Sequence, residues 1–179
     1  LASSGALANI GMPYWRISGD IKDEKVWKKV TTFINAASCV KSLRGETFGC
    51  FGGRPMGMYT ATVGADVWAK IFGIDVEHID QWEIVRKAQT IPQEKVEKAF
   101  LWCEENVGKI MYDGKQLTPE ILKRQIASYY AVKEICEEMH LDFCGIKGQP
   151  ELTNNFCTMD IAEAFLNDPY DFDGPKEPI

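Results

Sequence analysis

Short apolar runs that alternate with helix-length amphipathic segments constrain this chain more than any other feature. Four runs read as strands, at residues 12–17, 47–51, 74–79 and 142–146. Pro13 is tolerated in the first of them because it falls at the strand's start. The segments between read as helices. In residues 23–43, Val26, Val30, Phe33, Ile34, Ala37 and Val40 recur at three- and four-residue steps and form one apolar stripe. Asp66 is placed to cap a short helix carrying Val67, Trp68, Ile71 and Phe72. Asp80 is placed to cap the next, ahead of Trp82, Ile84, Val85 and Ala88. Pro92 opens another, with Val96, Ala99, Phe100 and Cys103 on one face. The longest helix starts at Thr118-Pro119-Glu120, where Thr caps and Pro fits the first turn, and runs to about His140. Strands separated by crossover-length helices predict an α/β fold. The expected form is a parallel four-stranded, or slightly larger, sheet with helices on both faces, a Rossmann- or flavodoxin-like three-layer sandwich.

Size and charge narrow the classes. A chain of 179 residues makes one domain over 1–179, and residues 150–179 read as a loop-rich extension with one short helix near 161–166. The net charge of −6 opposes general binding to phosphate backbones, so no nucleic-acid partner is expected. No apolar run approaches the ~18 residues needed to span a bilayer, and no membrane association is expected. The first residues carry no positively charged signal region and no initiator Met, and both ends look cut from something longer. Six cysteines at 39, 50, 103, 136, 144 and 157 include no CxxC pair, which argues against a zinc framework. They read as small apolar thiols in a reducing cytosol, with a disulfide or a reactive thiol as the open alternatives.

Ligands of parallel α/β sheets bind outside the C-terminal strand ends. The residues to inspect are therefore Ser18–Asp20, Gly52–Thr60, Asp80–Glu83 and Lys147–Asn154. The glycines at 52, 53 and 57 match neither dinucleotide nor P-loop spacing, which disfavours a nucleotide-binding oxidoreductase. Arg54 and Met56 at that loop's tip still point toward the expected crevice. Glu77 and His78 alternate across a strand and so cannot hold one metal together. His78 with Asp80 is a lone pair, read instead as an orienting hydrogen bond at a strand end. His140 reads as a helix C-terminal residue. Lys147-Gly148-Gln149, directly after a strand, offers a charged donor and an amide to hydroxyl or carbonyl oxygens. The competing reading of Lys147 is a solvated loop residue.

Four runs in order carry a resemblance: Gly52-Gly53-Arg54-Pro55-Met56-Gly57-Met58-Tyr59-Thr60, Phe72–Asp80, Ile146-Lys147-Gly148-Gln149 and Lys176-Glu177-Pro178. Together they resemble the L-fucose isomerase and L-arabinose isomerase family, over nearly the whole chain and in the order of its central domain. The resemblance implies a metal-dependent aldose–ketose isomerase, usually using Mn²⁺, working through an ene-diol. It also implies a homo-oligomeric full-length enzyme acting on a small sugar in the cytoplasm. The family's first metal-binding glutamate lies a few residues after the run that here is Glu177-Pro178. The resemblance therefore puts the metal ligands beyond Ile179, with no catalytic residue and no cofactor expected in this stretch. By position it places Lys147, with Gln149 two residues on, and Met56 near the sugar, and Arg54 joins them as a substrate-binding candidate from its place at the tip of the glycine loop. Lys147 stands where fucose isomerases carry a substrate-contacting glutamine, which leaves the sugar open. The rival function is a non-catalytic sugar-binding α/β module.

Overall fold

The computed structural model describes residues 2–179. The chain divides into two compact units, the first ending at Arg44 and the second spanning Gly45–Ile179. In the first unit, α1 (Ala2–Asn9) ends where Gly11 turns left-handed at φ 67° and the Met12 N–H returns to the Leu7 carbonyl at 2.9 Å. α2 (Glu24–Ser42) starts at Asp23, whose carboxylate accepts the Lys25 N–H at 2.8 Å. No residue of α2 is buried, although Trp15 and Phe33 meet with ring centroids 6.3 Å apart.

Residues 12–17 form neither helix nor strand among the described residues. The expected first strand is therefore absent, and the sheet has three strands rather than four. A strand is defined by its ladder, and this segment has no partner. Pro13 removes one donor, Met12, Tyr14 and Trp15 are exposed, and Arg16 instead donates to Ser4 Oγ at 3.1 Å.

The second unit holds the three-stranded parallel sheet. β1 (Thr47–Phe51) lies at its centre, between β2 (Asp75–Ile79) and β3 (Phe143–Ile146), in the order β2-β1-β3. β1 reaches β2 through α3 (Ala65–Ile71). β2 reaches β3 through α4 (Gln81–Ala88), α5 (Gln93–Asn106) and α6 (Pro119–Met139). Alternation along β1 divides its side chains between two covered faces. Phe48 packs against Trp68 of α3 and Phe143 of β3, with centroids 5.1 and 5.2 Å apart. Phe51 enters the main core instead, with Ile84, Leu122, Ile126 and Val132 from α4 and α6. Helices thus surround the sheet as a three-layer α/β arrangement.

Sequence signals account for the helix starts. Asp80 accepts the Trp82 N–H at 2.8 Å, and Thr118 Oγ1 accepts the Ile121 N–H at 3.2 Å. α3 departs from expectation, because Gly64 rather than Asp66 occupies its N-cap. α6 ends on His140 in a left-handed conformation, φ 56°.

Residues 150–179 carry more regular structure than expected: α7 (Glu151–Asn155), α8 (Asp160–Asn167), and a small hairpin of β4 (Tyr170–Asp171) with β5 (Gly174–Pro175). The hairpin is tied to α6. Buried Asp171 accepts hydrogen bonds from the Tyr129 hydroxyl, from Lys133 Nζ at 3.2 Å and from the Asp173 N–H at 2.8 Å. Burial alone would raise the Asp171 carboxyl, but these donors together outweigh it and hold it below the usual carboxylate value.

Candidate functional site

The parallel register brings three loops to one edge of the sheet. Phe51 pairs with Ile79 on one side and with Ile146 on the other, so Gly52, Asp80 and Lys147 leave the sheet side by side. The ladder continues into the loops. The Gly52 N–H donates to the Ile79 carbonyl at 2.8 Å, and the Lys147 N–H donates to the Phe51 carbonyl at 2.9 Å. The Gln81 side-chain amide donates to the Lys147 carbonyl, joining the start of α4 to the loop after β3. Gly52 sits at the centre at φ 90°. A Cβ there would lie 2.9 Å from Gln81 Cγ and 3.0 Å from Lys147 Cβ, so this crossing requires glycine.

Two clefts open at this edge. The first, about 180 Å³, lies on the Phe48 side and is lined by Phe48, Cys50, Gly53, Pro55, Gly145 and Lys147. The Cys50 thiol there is pushed up by burial and lies 3.5 Å from the Gly52 carbonyl oxygen. The second, about 330 Å³, lies between the starts of α4 and α7.

Of the residues singled out from the sequence, Lys147 lines the first cleft together with Gly53 and Pro55, the immediate neighbours of Arg54. Its side chain is only 15% exposed, and its Nζ donates to Glu151 Oε1 at 2.8 Å. That hydrogen bond, more than any other contact, holds the Glu151 carboxyl below its ordinary value. Arg54 and Met56 stand on the rim. The Arg54 guanidinium stacks 4.3 Å from the Tyr59 ring centroid, and Met56 is exposed at φ 46°. A left-handed methionine costs about 1–2 kcal/mol, and such strain tends to be kept at functional loops. Gln149 follows at the same edge with an exposed side chain that lines neither cleft. The structure thus brings the 54–56 and 147–149 loops together while leaving three of the four side chains outside the cleft linings.

Glu77 and His78 lie exposed on edge strand β2, and Asp80 serves as the cap of α4. Among the described residues, no three His, Cys, Asp or Glu side chains gather where they could hold a metal ion. All six cysteines are free, and Cys103, Cys136 and Cys157 are buried. No helix among the described residues is long and apolar enough to cross a membrane.

Sequence reasoning missed the roles of Gln81, Trp82, Glu151 and Asn155. Gln81, Trp82 and Glu151 did fall in the windows that follow strands, and Glu151 stands four residues after Lys147, whereas Asn155 lies just outside. What the sequence does not carry is the packing of α7 beside α4.

No family profile matches the chain. It is similar to curated L-fucose isomerases of Escherichia coli. It is 23% identical to that of O9:H4 (strain HS) and 24% identical to that of strain K12/DH10B, over 210 aligned residues in each case. Each alignment takes in 99% of this chain and 36% of the relative, so the chain spans about a third of the length of the curated relatives it matches.

Proposed function

We propose that this chain serves as the central α/β portion of an aldose–ketose isomerase of the L-fucose/L-arabinose isomerase type. The observation that carries the reading is the end-to-end alignment with the Escherichia coli L-fucose isomerases, joined to a crevice at the C-terminal edge of a parallel sheet. In this reading the chain's own residues bind and orient a small sugar. Lys147 Nζ presents a charged donor, and hydrogen bonds to charged groups are worth about 1.5–3 kcal/mol. Gln149, Arg54 and Met56 border the same crevice from two loops. Bound to the remainder of such an enzyme, a divalent ion such as Mn²⁺ would polarise the sugar's oxygens while a proton moves between C1 and C2. The ion's ligands are assigned outside this chain by the resemblance, in which the first metal-binding glutamate follows the run that here is Glu177-Pro178. The proposed enzyme works as a cytoplasmic homo-oligomer.

The test is an aldose-to-ketose conversion assay on the full-length protein. Lys147→Ala is expected to raise KM or lower kcat about tenfold, equal to about 1.4 kcal/mol. Wild-type protein that converts no aldose with Mn²⁺ present, or a Lys147→Ala enzyme with unchanged kinetics, defeats the assignment.

A further inference from the structure

The second cleft is built differently from the first and touches the isomerase reading only through the pairing of its rim residue Glu151 with Lys147. Its floor is apolar, made by Val85, Leu152 and Phe156. Trp82 stands at its mouth, 62% exposed, because the Asp80 cap starts α4 one residue before it. At about 330 Å³ the cleft is at the small end of the ~300–1,000 Å³ range of ligand pockets. A tryptophan this exposed contributes little to the core, and its indole face is an apolar platform that a ligand would cover.

The rim is made of acceptors. Asp80 spends one carboxylate oxygen on the Trp82 N–H, Glu151 spends one on Lys147 Nζ, and the Asn155 amide nitrogen donates to the Glu151 carbonyl at 2.7 Å. Asp80, Glu151 and Asn155 each keep acceptor capacity beyond these bonds, although the Glu151 carboxylate also draws on its own backbone N–H. Three spare acceptors beside one indole suit a ligand rich in hydroxyl donors with one apolar face. Two carboxylates, only one of them balanced by Lys147, repel phosphates and other anions. A quaternary ammonium would want several aromatic walls around its charge, whereas Trp82 alone presents a ring at the mouth. The walls are also held in place. Gln81 bonds to the Lys147 carbonyl and Lys147 pairs with Glu151, so little ordering remains to be done on binding.

We infer that the cleft between the starts of α4 and α7 is a binding site for an uncharged pyranose ring, stacked on Trp82 with its hydroxyls donating to Asp80, Glu151 and Asn155. The test uses methyl α-L-fucopyranoside and methyl α-D-glucopyranoside. Their blocked anomeric carbons cannot open, so they are not isomerase substrates and the result is independent of the proposed reaction. The indole N–H signals of the five tryptophans and the Asn155 side-chain amide are followed by NMR during titration, with tetramethylammonium as a charge control. At least one glycoside should shift the Trp82 and Asn155 signals saturably, with about millimolar Kd. Trp82→Ala should weaken this, read at Asn155, by about tenfold or more, and Trp82→Phe should recover part of it. Thermal unfolding checks that both variants stay folded, as expected for an exposed side chain. No saturable shift with either glycoside, a stronger response to tetramethylammonium, or an unchanged Asn155 response in Trp82→Ala overturns the inference.

Discussion

Replacing Gly52 with alanine tests whether the three loops converge as tightly as the structure has them. Two costs are separable. The first is backbone strain. Gly52 lies at φ 90°, beyond the small left-handed region open to L-residues, and a left-handed residue with a Cβ costs about 1–2 kcal/mol. The second is steric. The new methyl would sit 2.9 Å from Gln81 Cγ and 3.0 Å from Lys147 Cβ. Gln81 is anchored to the Lys147 carbonyl and Lys147 Cβ is fixed to the backbone, so neither yields freely. Overpacking of this kind costs about 1–3 kcal/mol more. Gly114 supplies the control, at φ 72° with open space where its Cβ would be. Gly114→Ala therefore carries only the backbone cost, about 1–2 kcal/mol. At about 2–4 °C per kcal/mol for a chain of this size, Gly114→Ala should lower Tm by roughly 2–8 °C and Gly52→Ala by roughly 4–20 °C. Thermal unfolding followed by circular dichroism measures both. Equal losses, within about 2 °C, would refute the steric term and with it the close crossing of Gln81 and Lys147 over β1.

Other outcomes follow from the same geometry. Asp171→Ala leaves the buried Tyr129 hydroxyl without its acceptor and should destabilise by about 3–5 kcal/mol, measured by urea unfolding. Because the folded Asp171 carboxyl is held below its unfolded value of about 3.9, its contribution is full above that value and lost as pH falls through the folded one. The gap between wild type and Asp171→Ala should therefore be flat near neutrality and close only below about pH 4, and a gap that narrows between neutrality and pH 5 contradicts this. The purified 179-residue chain should convert no aldose with Mn²⁺. Turnover that a chelator abolishes would place the metal ligands inside it.

Legibility in the sequence tracked locality. Helix starts at Asp80 and Thr118 and the runs that became β1, β2 and β3 could be read because caps and alternation lie within a few residues of what they determine. Residues 12–17 show the limit. Their pattern resembles a strand, yet both ladders of β1 belong to β2 and β3, and no described strand pairs with the segment. The stripe on α2 shows the same limit, since spacing gives a helix its apolar face without supplying anything to bury it. The order of the tail was hidden because it depends on Asp171 meeting Tyr129 and Lys133 of α6, far away in the chain. At the crevice, Lys147 was legible as a residue after a strand. The second cleft was not, because it arises where α7 packs beside α4.

The ion pair at Lys147 bears on which ligand the crevice prefers. In the proposed family, fucose isomerases carry a glutamine where this chain has lysine. A bare ammonium there would favour an anionic sugar, but Glu151, four residues further on at the start of α7, takes up the charge at 2.8 Å. With one partner 15% and the other 51% exposed, the pair is screened by water, so its value to the fold is small. What it supplies is a donor from Lys147 and an acceptor from Glu151 with no net charge, the same functional pair that a glutamine amide presents. On this argument the substitution preserves recognition of an uncharged sugar. Lys147→Gln should then keep most of the activity that Lys147→Ala loses, whereas Glu151→Gln, which frees the ammonium, should move preference toward acidic or phosphorylated sugars. Kinetics of the three full-length variants against a neutral aldose and its phosphate ester decide it. If Lys147→Gln is as impaired as Lys147→Ala, the charge itself contacts the substrate and the equivalence is wrong.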